Sequence, residues 1–238
     1  MRLPGSGEQV LVSQYADDTA VVVSNDPSMA QVLRIYGQYQ LASGAKINIE
    51  KSCGLCLGPL TNRVDTPFGF KWSATSCKSL GIHIGDPVAE TTNFERRLQK
   101  LTSVFLSWRQ RRLSLQGKSF VANALTLSGL FYVAASVPVP DWVLDNVTKQ
   151  CWDFLWSAKT PLVSRAACIQ PREKGGLLFP DFRRKVIAFH AVWVRRFLCG
   201  STAKWTYFFS YWLRRCLPPG GGTVALCNLA GLDCPCVI

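Results

Sequence analysis

The chain is expected to adopt an α+β fold, in which a hairpin, a helix and a few short strands precede an all-α bundle and a helical extension. Three observations lead there. Apolar, β-branched runs at Val10-Leu11-Val12 and Ala20-Val21-Val22-Val23 flank a short turn at Ala16-Asp17-Asp18, the pattern of two strands reversing on polar residues. From Phe94 onward the period changes, with Phe94, Leu98, Leu101, Phe105 and Trp108 recurring at helical spacing. Charge is also partitioned: residues 1–90 carry seven Lys/Arg against eight Asp/Glu, whereas residues 91–238 carry twenty against seven.

Asp17 and Asp18 stand where the first hairpin reverses. Two anions this close raise each other's pKa unless a cation neutralises them, so a hard, oxygen-seeking ion such as Mg²⁺ is their natural third party. A solvated Asp-Asp turn is the alternative. Asp26-Pro27 then reads as N-cap and first helical position, and Gly44 as the stop, of a helix over about 28–42. Its Met29, Val32, Leu33, Ile35, Tyr36 and Tyr39 are suited to packing on a sheet. Residues 46–49 alternate like a strand, with Lys51 just past it, and 68–72 and 80–84 read as a hairpin connected through 73–78.

In the helix that starts near Phe94, Arg96, Arg97, Lys100 and Arg109 fall off the apolar stripe, and Arg111, Arg112 and Lys118 extend the basic series past its end. Such a series suits a phosphate backbone, and a merely solvated surface is the alternative. Residues 119–137 hold nineteen positions without a charge, long enough for a membrane span. Ser119, Asn123, Thr126, Ser128, Gly129 and Ser136 interrupt them and Pro138 and Pro140 end them, which favours a helix buried among other helices over a small membrane-anchored protein. A further helix over 142–156 and another over 183–199 follow, the second with basic ends and interleaved aromatic residues.

Composition excludes wholesale disorder, with 48% hydrophobic and 18% charged residues, and the net charge of +12 fits an anionic partner. Residues 1–9 lack the apolar run of a signal peptide, so an intracellular location, nuclear or cytoplasmic and not secreted, is expected. In that setting most of the ten cysteines read as small buried hydrophobes. Cys53-Gly54-Leu55-Cys56 is only half of a zinc pattern, and Cys227, Cys234 and Cys236 lie in a Gly/Pro-broken tail without a matching histidine. His83 and His190 have no partnering nucleophile pattern.

Tyr15-Ala16-Asp17-Asp18-Thr19-Ala20 followed by apolar residues resembles the catalytic hairpin of reverse transcriptases, especially those of non-LTR (LINE-type) retrotransposons. Four further patterns agree in order: the segment Ser43-Gly44-Ala45-Lys46-Ile47-Asn48-Ile49-Glu50-Lys51-Ser52; Leu80-Gly81-Ile82-His83-Ile84-Gly85, similar to a primer grip; Trp-x-x-Arg-x-Leu-Ser-x-x-Gly-Lys over 108–118; and Phe154-Leu155-Trp156 with Gly175-Gly176-Leu177 and Pro180-Asp181-Phe182.

The resemblance, which runs over about 15–197, implies a partial polymerase palm in 1–90, a helical thumb in 91–160, a basic post-thumb extension in 161–217 and a poorly ordered tail in 218–238. It implies that Asp17 and Asp18 are Mg²⁺ ligands for two-metal nucleotidyl transfer and that Lys46 or Lys51 protonates the leaving pyrophosphate. Leu80, Gly81 and Ile82 would belong to the primer grip, and Arg96, Arg97, Lys100, Arg109, Arg111, Arg112 and Lys118 would hold an RNA template and DNA primer, or their hybrid. Reverse transcriptases supply another palm carboxylate and the fingers from upstream. The expectation is therefore a fragment that does not polymerise alone, keeps nucleic-acid binding and needs an upstream polymerase fragment in trans for catalysis. A basic binding module without catalysis is the alternative.

Overall fold

The computed structural model describes residues 12–63, 65–85, 87–157 and 159–216 and has an α+β architecture. The expectations for 1–9, for the first residues of the leading strand and for the tail, with Cys227, Cys234 and Cys236, lie outside the described residues. The described residues up to 85 together with those over 200–216 form one compact unit, and the described residues over 87–199 form a second.

In the first unit, β1 (Val12–Tyr15) and β2 (Asp18–Val21) pair antiparallel, followed by α1 (Asp26–Ser43). Asn25, not Asp26, caps α1: its side chain accepts the Ser28 N–H at 2.9 Å. Asp26 is free to form a bidentate pair with Arg63, with both contacts at 2.6 Å, and Arg63 also holds Asp65. That guanidinium keeps both carboxyls below their ordinary pKa. Gly44 ends the helix at φ 73°. The apolar face of α1 is only half covered, for no residue of it is buried and Ile35 and Tyr39 are more than half exposed.

The strand expected at 46–49 is absent. Asn48 turns the chain there instead, its Oδ1 accepting the Lys51 N–H and its carbonyl the Ser52 N–H and hydroxyl, a local competitor to any sheet ladder. The hairpin through 73–78 is also corrected. β3 (Cys53–Leu55) pairs in parallel with β4 (Lys71–Ser73), while β5 (Ser76–Ser79) pairs antiparallel with β6 (Ile82–Gly85). Two local geometries decide this. Ser73 Oγ accepts the N–H groups of Thr75 and Ser76 and turns the chain after β4, and Leu80 and Gly81, at φ 48° and 80°, make the two-residue turn whose twist matches a hairpin. Cys53 does not share a metal with Cys56: it forms a disulfide with Cys77 that ties β3 to β5, and Cys56 is free and buried. In α8 (Trp205–Cys216), which belongs to this unit, Phe209 and Leu213 are buried.

The second unit is a helical bundle of α2 (Pro87–Arg109), α3 (Leu115–Val121), α4 (Ser128–Ala134), α5 (Asp141–Leu155), α6 (Arg165–Ile169) and α7 (Phe182–Leu198). The expected stripe of α2 is the one it buries, with Phe94, Leu98, Leu101 and Phe105 in the core. Phe105 stacks on Phe154 of α5 with ring centroids 4.4 Å apart. Between α3 and α4 the uncharged segment widens into a π-helical turn, Ala122–Leu127, in which buried Thr126 donates to the Ala122 carbonyl. Two of its polar groups meet the strap formed by residues 175–179, with Ser119 Oγ donating to Leu177 O at 2.9 Å and Asn123 Nδ2 to Leu178 O at 3.2 Å, while Ser128 and Ser136 donate to carbonyls one turn back. These are the polar partners a helix needs inside a protein, and no helix among the described residues is long and apolar enough to cross a membrane.

Gly176 carries the strap past Gln170, where an added Cβ would collide with the Gln170 carbonyl oxygen. Asp181 then caps α7 by accepting the Arg184 N–H, and Phe182 packs on Phe131.

Burial on α5 also sets a pH dependence. Desolvation pushes the Cys151 thiol up to about 12 from an ordinary 9.0. The unfolded chain ionises this group first, so its stabilising contribution is complete below pH 9.0 and is lost as pH rises towards about 12. The thermal midpoint is expected to fall across that window, and iodoacetamide is expected to label exposed Cys199 while sparing Cys151 in the folded protein. A midpoint that stays level through the window, or early labelling of Cys151, would contradict this.

Candidate nucleic-acid interface

The first hairpin reverses on two residues, Ala16 and Asp17, with Tyr15 facing Asp18 across the ladder. Gln14 Nε2 donates to Ala16 O at 3.1 Å and braces the turn. Asp17 and Asp18 are exposed, and so is Tyr15, at 71%. Among the described residues neither carboxylate has a cationic partner within ion-pair distance, and no third Asp, Glu, His or Cys completes a ligand cluster around them. One or two carboxylates plus substrate phosphates form a common donor set for Mg²⁺, so this pair fits a share of such a site.

Ala16 sits at φ 53°, where a side chain costs about 1 kcal/mol relative to glycine. Ala16→Gly is therefore expected to stabilise the hairpin by about that much, read as slower amide exchange at its paired residues. Faster exchange in the variant would contradict the strain argument.

Lys46 and Lys51 are both exposed, Lys46 in the irregular stretch after Gly44 and Lys51 in the turn made by Asn48. The three residues resembling a primer grip differ in environment. Leu80 and Gly81 form the β5–β6 turn, whereas Ile82 is buried.

In the second unit the basic series does not form one face. At about 100° per residue, Arg109 falls about 180° around α2 from Lys100. Arg96 and Lys100 point to solvent. Arg97 is half-buried, donates to the Asn93 carbonyl at 2.6 Å, and has its pKa lowered by desolvation. Arg111 lies over the Trp108 ring, 4.5 Å from its centroid, and Arg112 is exposed.

Lys118 reaches the C-terminal end of α5, donating to Leu155 O at 2.9 Å and Ser157 Oγ at 2.6 Å. A cation at a helix C-terminus meets the negative end of the backbone dipole. Desolvation lowers its pKa, and the neighbouring charges of Arg109 and Lys159 add to that effect. Arg109, Lys118 and Lys159 therefore form one positive neighbourhood, gathered from α2, α3 and the loop after α5.

A groove of about 350 Å³ between α2 and α5 continues this neighbourhood, with Arg109, Lys149 and Asp153 among its lining residues. Lys149 and Lys159 were not singled out by sequence reasoning. On α5 the polar face was legible from period alone, but nothing local marked Lys149 as facing α2. The α7 cations are more engaged: Arg183 pairs with Asp141 and Asp145, Arg184 with Asp181, and Arg196 lies over Trp193.

No protein-family profile matches the chain. It is 28% identical over 199 residues to the Transposon TX1 uncharacterized 149 kDa protein of Xenopus laevis, an alignment that takes in 80% of this chain. The chain spans about 15% of the length of that curated relative. The likeness supports a transposon origin.

Proposed function

We propose that the chain is a fragment of the RNA-directed DNA polymerase of a non-LTR retrotransposon, which binds nucleic acid and does not polymerise alone. The observation that carries the reading is the exposed Asp17-Asp18 pair on a two-residue hairpin turn, in a chain similar to a transposon protein over 80% of its length. Mg²⁺ held there would neutralise charge during nucleotidyl transfer. Asp17 and Asp18 contribute ligands from one hairpin only, and two-metal transfer needs a further carboxylate beside them. The uncovered apolar face of α1 supports an incomplete palm, since an amphipathic helix gains most of its stability by burying that face.

Binding is assigned to the second unit, whose seventeen Lys/Arg against seven Asp/Glu suit an RNA template paired with a DNA primer. The first unit, with ten against eight, is nearly balanced. Lys46 or Lys51 is the proposed general acid, and Leu80, Gly81 and Ile82 the proposed primer-side contact, in the assembled enzyme.

A primer-extension assay on the purified chain with Mg²⁺ or Mn²⁺ tests the reading. No template-dependent incorporation is expected, while the hybrid is still retained in a mobility shift. Incorporation that disappears in Asp17→Ala would show a complete catalytic centre and overturn the inactive-fragment reading.

A further inference from the structure

Beyond the end of α5 the chain forms an open groove of about 560 Å³, within the roughly 300–1,000 Å³ of sites that take small organic ligands. Its wall is rich in donors. Arg165 lies over the Trp152 ring, 5.2 Å from the centroid, a contact that leaves its N–H groups for an acceptor. Lys159 is exposed at the same groove, and neither cation has a carboxylate within ion-pair distance among the described residues. Trp156, another wall residue, is 8% exposed, and its buried Nε1–H has no acceptor, a rare state for a buried donor in a native structure. Asp153 is the one acid on the wall, so the cations outnumber it. Leu162, 86% exposed, supplies an apolar rim.

An anionic group joined to a flat, partly apolar one suits the two cations and the apolar rim of this lining. The geometry points to a subsite for one unpaired nucleotide of single-stranded nucleic acid, its phosphate between Lys159 and Arg165 and its base against Leu162. This deepens the proposed nucleic-acid binding and rests on it. A duplex keeps its bases stacked inside and has none to lay in this groove, whereas an unpaired strand can splay one out. A strand is favoured over a free nucleotide because the positive field continues outward: Lys159 is close enough to Lys118, as is Arg109, to disfavour its charge. Successive phosphates would follow that line.

The test is fluorescence anisotropy on the full chain, with a short labelled oligouridylate and an RNA–DNA hybrid of equal length as ligands, and uridine monophosphate and polyglutamate as competitors. Lys159→Ala combined with Arg165→Ala is expected to weaken oligouridylate binding by about tenfold or more and hybrid binding by less than about twofold. Leu162→Ala, at a side chain too exposed to be needed for folding, is expected to weaken the oligonucleotide selectively in the same way.

Equal loss for both ligands, or no loss for the oligonucleotide, would overturn the subsite. Competition by polyglutamate as strong as by RNA would make it a peptide site, and competition by uridine monophosphate as strong as by the oligonucleotide would remove the strand; either result overturns the inference. Binding of hybrid without oligonucleotide by the unaltered chain removes this subsite alone. Binding of neither removes the proposed function with it.

Discussion

Replacing Phe154 by alanine is expected to destabilise the helical unit by about 3–5 kcal/mol, a large share of the roughly 5–15 kcal/mol that holds a typical domain together. Phe154 is 0% exposed, and its ring stacks on Phe105 at 4.4 Å, so truncation empties the centre of the α2–α5 contact. Valines 143 and 147, also fully buried on α5, are too short to refill that space. Urea unfolding followed by tryptophan fluorescence measures the loss. Leu106→Ala, on the exposed side of α2, is the control expected to lie near neutral. A Phe154→Ala cost below about 1 kcal/mol would mean that the two helices are not held by this stack.

The second large effect concerns charge. Glutamine at Arg96, Lys100, Arg109, Arg111 and Arg112 together is expected to lower hybrid affinity by about a hundredfold or more at physiological salt. The slope of log affinity against log salt is expected to become shallower by up to about 4, near one unit for each phosphate that the variant no longer neutralises. All five side chains are exposed, and only Arg111 has a ring contact to lose, so the folded state should survive. Lys118 is left out of the set because its ammonium is engaged by Leu155 and Ser157, where removal would disturb the end of α5. Circular dichroism separates a folding defect from a binding defect. A variant that keeps both the affinity and the salt slope would place the nucleic acid elsewhere.

Period made the main helix of the second unit legible, for the α2 stripe is the buried one, and in the first unit Gly44 stops α1 at the expected place. The expectations failed where a single side chain redirects the backbone. Asn48 makes a turn out of a segment that alternates like a strand, and Ser73 together with Leu80-Gly81 moves the hairpin by one strand. No periodicity reports such contacts, because each is a local hydrogen bond or a positive φ.

Several patterns behind the resemblance also have structural roles in this fold. Ser114 accepts the Gly117 N–H at the start of α3, Lys118 anchors to α5, Phe154 and Leu155 are core, and Asp181 caps α7. The basic series was legible as composition but not as a surface, since the turn of α2 sends Arg109 away from Lys100 and towards residues distant in sequence, Lys118 and Lys159.

The most direct test is an equilibrium titration of the purified chain with an RNA–DNA hybrid over a series of salt concentrations, run beside the Asp17→Ala/Asp18→Ala double variant. Tight binding at low salt that falls steeply as salt rises, with the double variant indistinguishable or slightly tighter, is the expected result. Affinity that ignores salt, or that disappears with the two aspartates, would contradict a helical unit that holds nucleic acid by its own charge.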